Sequence, residues 1–221
     1  MNLVEIIDKF NLDVSTDKNS VHSYITGFYE NEFLKYKNKK ITILEVGIRR
    51  GGSMKLWSEY FTKANSVIGI DISSNEIENQ YRNINGVEYL FGNAYSAEIV
   101  NKIPELDIFL DDGPHTKDSQ IDSIRHYLPK VKSGGIFIIE DVQDIEWFNF
   151  FDEEVDNIRE NDSSFNYKVE CVDLRHLKNK FGDYRYDKDD LLYVVRKTKK
   201  RKTKWSKNIN FQSVIDIISK I

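Results

Sequence analysis

Ile108-Phe109-Leu110-Asp111-Asp112-Gly113-Pro114-His115 is the stretch that decides the fold, and Ile136-Phe137-Ile138-Ile139-Glu140-Asp141 repeats its pattern. Each is a short apolar run ending in two acids, and the first carries a histidine three residues further on. Apolar runs of this length read as strands buried on both faces of a parallel sheet. In an open α/β sheet, ligands bind beyond the carboxyl ends of the strands. Four acids and an imidazole would therefore converge on one crevice. Like charges held together repel unless a cation joins them or a proton is shared. The pattern predicts a divalent metal beside a candidate general base.

Outward from these runs, strands and helices alternate. Ile41–Val46, Ser66–Ile70, Val87–Phe91, Leu106–Leu110 and Ile136–Ile139 read as strands. Met54–Phe61, Gln120–Val131 and Asp144–Glu160 read as helices, the second with Ile121, Ile124 and Leu128 on one face. Lys132-Ser133-Gly134-Gly135 reads as a turn into the strand that follows. Such alternation implies a parallel sheet with helices on both faces. Tyr167–Asp173 and Asp190–Arg196 are late strands with no helical pattern between them, so an antiparallel pair at one edge is expected. The fold class is α/β: a Rossmann-like, doubly wound, mostly parallel seven-stranded sheet with an antiparallel edge. Tyr24, Phe28, Tyr29 and Phe33 recur at helical spacing in the first 40 residues, and 208–221 reads as a short apolar-faced helix.

The chain has 221 residues, enough for one well-filled domain, and 31% of them are charged, ordinary for a water-soluble protein. A single cysteine, Cys171, excludes an intrachain disulfide and a Cys-rich zinc site. With an acidic start at Met1–Glu5 and no membrane-length apolar run, the expected location is cytoplasmic. Arg196 to Lys207 holds eight Lys/Arg and no acid; with −4 overall, the rest of the chain carries −12. That body repels phosphate, so no nucleic acid is expected as a partner. The basic segment itself has three readings: a solvated linker, an arm against anionic lipid headgroups, or a nucleic-acid arm. The 208–221 helix would assist the second or pack on another copy of the chain.

Glu45-Val46-Gly47-Ile48-Arg49-Arg50-Gly51-Gly52-Ser53 follows a strand and opens a helix. Glycine lets backbone approach a ligand where a Cβ would clash. The spacing departs from the G-x-G-x-x-G of nicotinamide enzymes, and Glu45 suits a cationic or hydroxyl-rich ligand better than a pyrophosphate. Asp71 ends the next strand, 24 residues after Gly47, where an acid can take both ribose hydroxyls of an adenosine. The third strand ends at Gly92-Asn93-Ala94-Tyr95, where an amide would read a base edge. Gly51 and Gly52 as a plain turn, and Asp71 as a helix cap, is the competing reading. Three such motifs in register on successive strands favour ligand binding.

These residues resemble class I S-adenosylmethionine-dependent methyltransferases from about residue 17 to 197. The nearer resemblance is to the macrocin/mycinamicin type of sugar O-methyltransferases, which also resembles the cephalosporin hydroxylase group. It is carried by Asp17-Lys18-x3-His22-x-Tyr24, Leu44-Glu45-x-Gly47-x3-Gly51-Gly52-Ser53 and Gly69-Ile70-Asp71. Asp111-Asp112-Gly113-x-His115, Gly134-Gly135-x4-Glu140-Asp141 and Asp189-Asp190-Leu191-Leu192 complete it. The resemblance implies magnesium-dependent methyl transfer from S-adenosylmethionine to a hydroxyl of a small-molecule or glycan acceptor. It implies metal ligands at Asp112, Glu140 and Asp141 and a base at His115. Glu45, Gly47, Gly51, Ser53, Asp71, Asn93 and Tyr95 would surround the cofactor. The implied organisation is a helical lead-in over 1–40, a methyltransferase domain over 41–197, and the basic segment with its helix over 198–221.

Several of these residues have a second reading. Asp-Gly-Pro is turn chemistry, so Asp112 would serve a turn. Glu140-Asp141 would favour the N-terminal dipole of a following helix. Asp111 would point to the opposite face of its strand, orienting the cofactor or stabilising the turn. His22 and Tyr24 would either close over the methionine end of the cofactor or pack the first helix on the sheet. A methyltransferase for a catechol or another vicinal diol, and a non-catalytic S-adenosylmethionine-binding protein, are the rival functions.

Overall fold

The structure, a computed structural model, describes residues 1–182 and 189–200. The basic segment beyond Lys200 and the expected 208–221 helix lie outside the described residues. Seven strands form one sheet: β1 Thr42–Val46, β2 Ser66–Asp71, β3 Val87–Phe91, β4 Leu106–Asp111, β5 Val131–Ile139, β6 Phe165–Asp173 and β7 Leu191–Lys199. Their spatial order is β3-β2-β1-β4-β5-β7-β6. The first five pair in parallel; β7 runs antiparallel to both β5 and β6. The antiparallel pairings thus lie at the predicted edge, with the reversed strand one position in from the rim.

Strand side chains alternate between faces, and here both faces are buried. Ile43, Ile108, Leu110, Ile136, Ile138, Leu192 and Val194 enter one apolar layer. Leu44, Phe109, Phe137, Ile139, Tyr193 and Val195 enter the other. The second layer is closed by α4 (Ala97–Val100), α5 (Lys117–Tyr127) and α6 (Trp147–Asn161). Each of these fully buried side chains contributes roughly 1.5–3 kcal/mol relative to exposure.

The first layer is closed by the N-terminal segment and α3 (Gly52–Tyr60). The N-terminal helix α1, Leu3–Phe10, starts in a reciprocal cap: the Glu5 N–H donates to Asn2 Oδ1 (2.7 Å) and the Asn2 N–H to Glu5 Oε2 (2.9 Å). A wider turn, Ile25–Tyr29, closed by the Glu30 N–H on the Ile25 carbonyl, leads into α2, Glu30–Phe33. An i→i+5 turn brings residues five apart into line. Tyr24 and Tyr29 therefore both face the sheet, fully buried beside Phe33 and Trp57.

Two local readings are corrected. Lys132–Gly135 is part of β5 and not a turn; Gly134 takes φ +92° there, and the pairing with β4 slips between Leu106 and Ile108. A Cβ on Gly135 would stand 2.8 Å from the Asp107 carbonyl oxygen, so only glycine lets the strands approach. The helix read over 120–131 begins earlier, where the Thr116 hydroxyl caps the Ser119 N–H, and ends at Tyr127 ahead of Pro129. Among the described residues no helix is long and apolar enough to cross a membrane.

Candidate active site at the strand ends

Strand order reverses between β1 and β4, which opens a crevice at their carboxyl ends. The crevice holds a cavity of about 520 Å3 lined by Gly47, Ser53, Asp71, Asn93, Asp112 and His115. That lies within the roughly 300–1,000 Å3 of small-molecule sites. Tyr95 also reaches it. Gly47 takes φ +83°, and a Cβ there would stand 1.9 Å from the Asp112 carbonyl oxygen. The loops after β1 and β4 therefore touch, and the two halves of the crevice are continuous. Asp71 at the end of β2 accepts the backbone N–H groups of Ile48 (3.1 Å) and Arg49 (2.8 Å) on Oδ2. It shapes the glycine loop as well as facing the cavity.

Residues 13–17, 20 and 21 form another wall, of which only Asp17 belongs to a motif quoted from the sequence. This segment crosses α3 so closely that a Cβ on Gly52 would stand 2.7 Å from the Ser15 backbone. Gly52 is thus a contact residue for the N-terminal segment, and Gly51 (φ +87°) is the turn residue.

The acids sort into two groups. Asp112, Asp141 and His115 offer ligand atoms that all lie within 4.8 Å of one another. His115 Nε2 is 3.7 Å from Asp112 Oδ1 and 3.6 Å from Asp141 Oδ2. Both His115 (φ +54°) and Asp141 (φ +51°) hold left-handed backbone. That conformation costs of order 1–3 kcal/mol for such residues and clusters at functional sites.

Glu140 is in the second group. Its Oε2 receives the ammonium of Lys18 and its Oε1 the hydroxyl of Tyr29. Lys18 Nζ also meets Asp112 Oδ2 at 2.7 Å and Glu45 Oε1 at 3.1 Å. Glu45 is fully buried, and its Oε2 accepts the Trp57 indole N–H at 2.7 Å. Glu45 and Glu140 therefore do not line the cavity, and Lys18 is the residue sequence reasoning missed. It stands in the Asp17-Lys18-x3-His22-x-Tyr24 motif, but nothing there gave it a role; the hint was a surplus of acids requiring a cation.

Asp111 also lies outside the cavity, 2% exposed, with Oδ1 accepting the Gly113 N–H at 3.1 Å. It stabilises the turn that presents Asp112, and burial pushes its carboxyl up to about 6. His22 and Tyr24 stack on each other, with ring centroids 4.6 Å apart, behind the acids. His22 Nδ1 meets Asp190 Oδ1 at 2.5 Å and lies 3.4 Å from Asp141 Oδ1, and the Tyr24 hydroxyl donates to Asp141. They orient Asp141 from outside the cavity.

Burial raises the pKa of Asp112 and Glu140, Lys18 opposes it, and the neighbouring carboxylates add to it. Burial, countered by His22 and reinforced by Asp112, pushes Asp141 up to about 6. Burial alone would lower Lys18, but Asp112, Glu140 and Glu45 together hold it well above its usual value. We read Lys18 as an ammonium ion: three carboxylates around one cation leave surplus negative charge, which adds to burial in lifting Asp112 and Glu140. Burial and the acids keep Tyr24 and Tyr29 protonated, as donors.

The profile of the Rhamnosyl O-methyltransferase/CmcI family matches residues 23–162, more than half of the chain. The chain belongs to that family. Among curated relatives, the 8-demethyl-8-alpha-L-rhamnosyl tetracenomycin-C 2'-O-methyltransferase of Streptomyces olivaceus is 27% identical over 139 residues, 60% of this chain and 36% of that protein. The mycinamicin VI 2''-O-methyltransferase of Micromonospora griseorubida is 27% identical over 138 residues, 58% of this chain and 33% of that protein. The chain thus spans about a third of the length of these relatives. The solved MycE methyltransferase of the mycinamycin biosynthetic pathway, in complex with Mg, SAH and mycinamycin VI, shares the fold. Its TM-score is 0.66 at 19% identity over 90% of this chain and 55% of that one. The family match covers β1 to β5 and the loops after them, and begins just beyond the 13–21 wall.

Proposed function

We propose that this chain binds S-adenosylmethionine in the crevice and transfers its methyl group to a hydroxyl of a sugar, assisted by a hard divalent cation such as magnesium. The observation that carries the reading is one continuous cavity. It joins Asp71 and Asn93, suited to ribose and base, to Asp112 and His115, suited to an acceptor hydroxyl. Family membership supports methyl transfer. The relatives named for rhamnosyl and macrolide acceptors support a sugar on a natural product or glycan.

The donor set fits a divalent cation: oxygens of Asp112 and Asp141 converge where surplus negative charge collects, with the His115 imidazole beside them and left free to act as base. Asp112 and Asp141 would hold it, and when bound it would supply Lewis-acid stabilisation of a developing alkoxide. The remaining work falls to the chain itself. Asp71 and the glycine loop position the cofactor, and alignment of the acceptor oxygen with the sulfonium methyl is a major part of the acceleration. His115, 30% exposed and facing the acids through Nε2, takes the hydroxyl proton at that nitrogen. The oxygen–carbon bond forms as the carbon–sulfur bond breaks, leaving a methyl ether and S-adenosylhomocysteine. Lys18 and Tyr24 keep Asp112 and Asp141 in place during the exchange.

The test is incubation with methyl-labelled S-adenosylmethionine, magnesium and a panel of rhamnosylated and nucleotide-linked sugars, with catechol as a comparison. Label in a sugar, lost in excess chelator, is the expected result. Label in catechol alone would move the acceptor to aromatic diols. Cofactor binding with no transfer to any acceptor would leave a binding protein.

A further inference from the structure

Lys18 is a charged side chain with no exposure to solvent, aimed at three carboxylates, one on β1 and two directly after β4 and β5. Each acid gives it one oxygen. The second oxygen of Glu45 goes to Trp57, and that of Glu140 goes to Tyr29. Asp112 alone differs: Oδ2 meets Lys18 at 2.7 Å, while Oδ1 faces His115 and Asp141. Asp112 is therefore a bridge between an ammonium on one side and an open donor group on the other. A carboxylate shared in this way by two cations is the arrangement of a two-metal site, with a lysine in one of the positions.

We propose that Lys18 is a built-in counter-cation: its ammonium fills the Glu45–Asp112–Glu140 position, confining a divalent cation to the Asp112–Asp141–His115 side. The oxygens around Nζ are all hard donors, and a divalent ion would draw them in to about 2.0–2.6 Å. Without the lysine, three buried carboxylates would face one another with no cation, a strongly unfavourable state that a metal relieves. The inference rests on the divalent site of the proposed function, and the experiment separates the two.

Mn2+ is titrated into the full chain and into Lys18→Met, and free Mn2+ is followed by electron paramagnetic resonance. Wild type should bind a single ion and Lys18→Met a second, while adding ethylammonium to Lys18→Ala should expel that second ion. A lysine that only filled space would add no ion when replaced. Equal stoichiometry in wild type and Lys18→Met overturns the inference and leaves the divalent site standing. No ion in wild type but one in Lys18→Met keeps Lys18 as the counter-cation and removes the divalent site. No ion in either removes both. If Lys18→Met is unfolded without metal, Mn2+ should restore its circular dichroism; failure to do so overturns the inference.

Discussion

Asp71 was read from its place at a strand end, and its side chain has a second duty. The carboxylate already accepts two N–H groups from the glycine loop. Asp71→Ala should therefore weaken S-adenosylhomocysteine binding and also cost about 0.5–1.5 kcal/mol of stability by removing the acceptor of those two donors. Asp71→Asn retains an acceptor, so it should recover most of the stability but less of the affinity. Urea denaturation beside calorimetry reads both; equal affinity in wild type and Asp71→Ala would remove the ribose contact. The residues legible in the sequence share one property. Asp112, Asp141 and His115 follow apolar runs directly, so strand register alone brings them together. Glu45 sits on a strand too, but whether it meets a ligand depends on what covers it. The covers, Lys18 and Trp57, come from elements whose packing angle no local pattern encodes.

At the scale of elements, the N-terminal segment is the part that pattern reading described least well. Its aromatic spacing suggested an ordinary helix, whereas the wider turn at Ile25–Tyr29 is what aims both tyrosine hydroxyls at the acids. The segment also depends on Gly52 for its close passage at Ser15. Gly52→Ala should push this wall outward, at a cost of about 1–3 kcal/mol, and weaken cofactor binding more than it disturbs the sheet. Hydrogen exchange should show faster exchange over residues 13–21 and little change in β4 and β5; uniform loosening would contradict this. Farther from the crevice, Arg196 on β7 holds α2 by donating from Nη2 to Glu32 Oε2 at 2.8 Å and from Nε to Oε1 at 3.3 Å. Burial alone would raise Glu32, but the hydrogen bonds from Arg196 and Lys35 outweigh it and lower its pKa. The sign follows: stability from Glu32 is present above the unperturbed value of 4.5 and is lost as pH falls through the lowered folded value. Glu32→Gln should cost about 1 kcal/mol at neutral pH, and the difference from wild type should vanish in acid. A difference that persists with the carboxyl protonated would assign the effect to packing.

For the whole molecule, the parallel part of the sheet was legible in the sequence because its strands alternate with helical patterns. The antiparallel edge was legible from the missing helix between the last two strands. The position of the reversed strand was not read, although the unbroken apolar run Leu191–Val195 of β7, set against the polar alternation of β6, marks which of the two is covered on both sides. The same sheet carries the functional account. Lys18 compensates much of the buried negative charge, so chelator should leave the fold intact. Saturating magnesium should stabilise the native state by about 2.7 kcal/mol at one hundred times its dissociation constant, and so raise the melting temperature. The central claim is that cofactor and cation share one cavity, joined where the Gly47 loop meets Asp112. The most direct measurement is the relaxation of carbon-13 methyl-labelled S-adenosylmethionine bound to the chain with Mn2+ in place of magnesium. Strong paramagnetic broadening of the methyl signal, abolished in Asp112→Ala with cofactor still bound, is the predicted result. A bound methyl signal unaffected by bound Mn2+ would put the two ligands in separate sites and contradict the account.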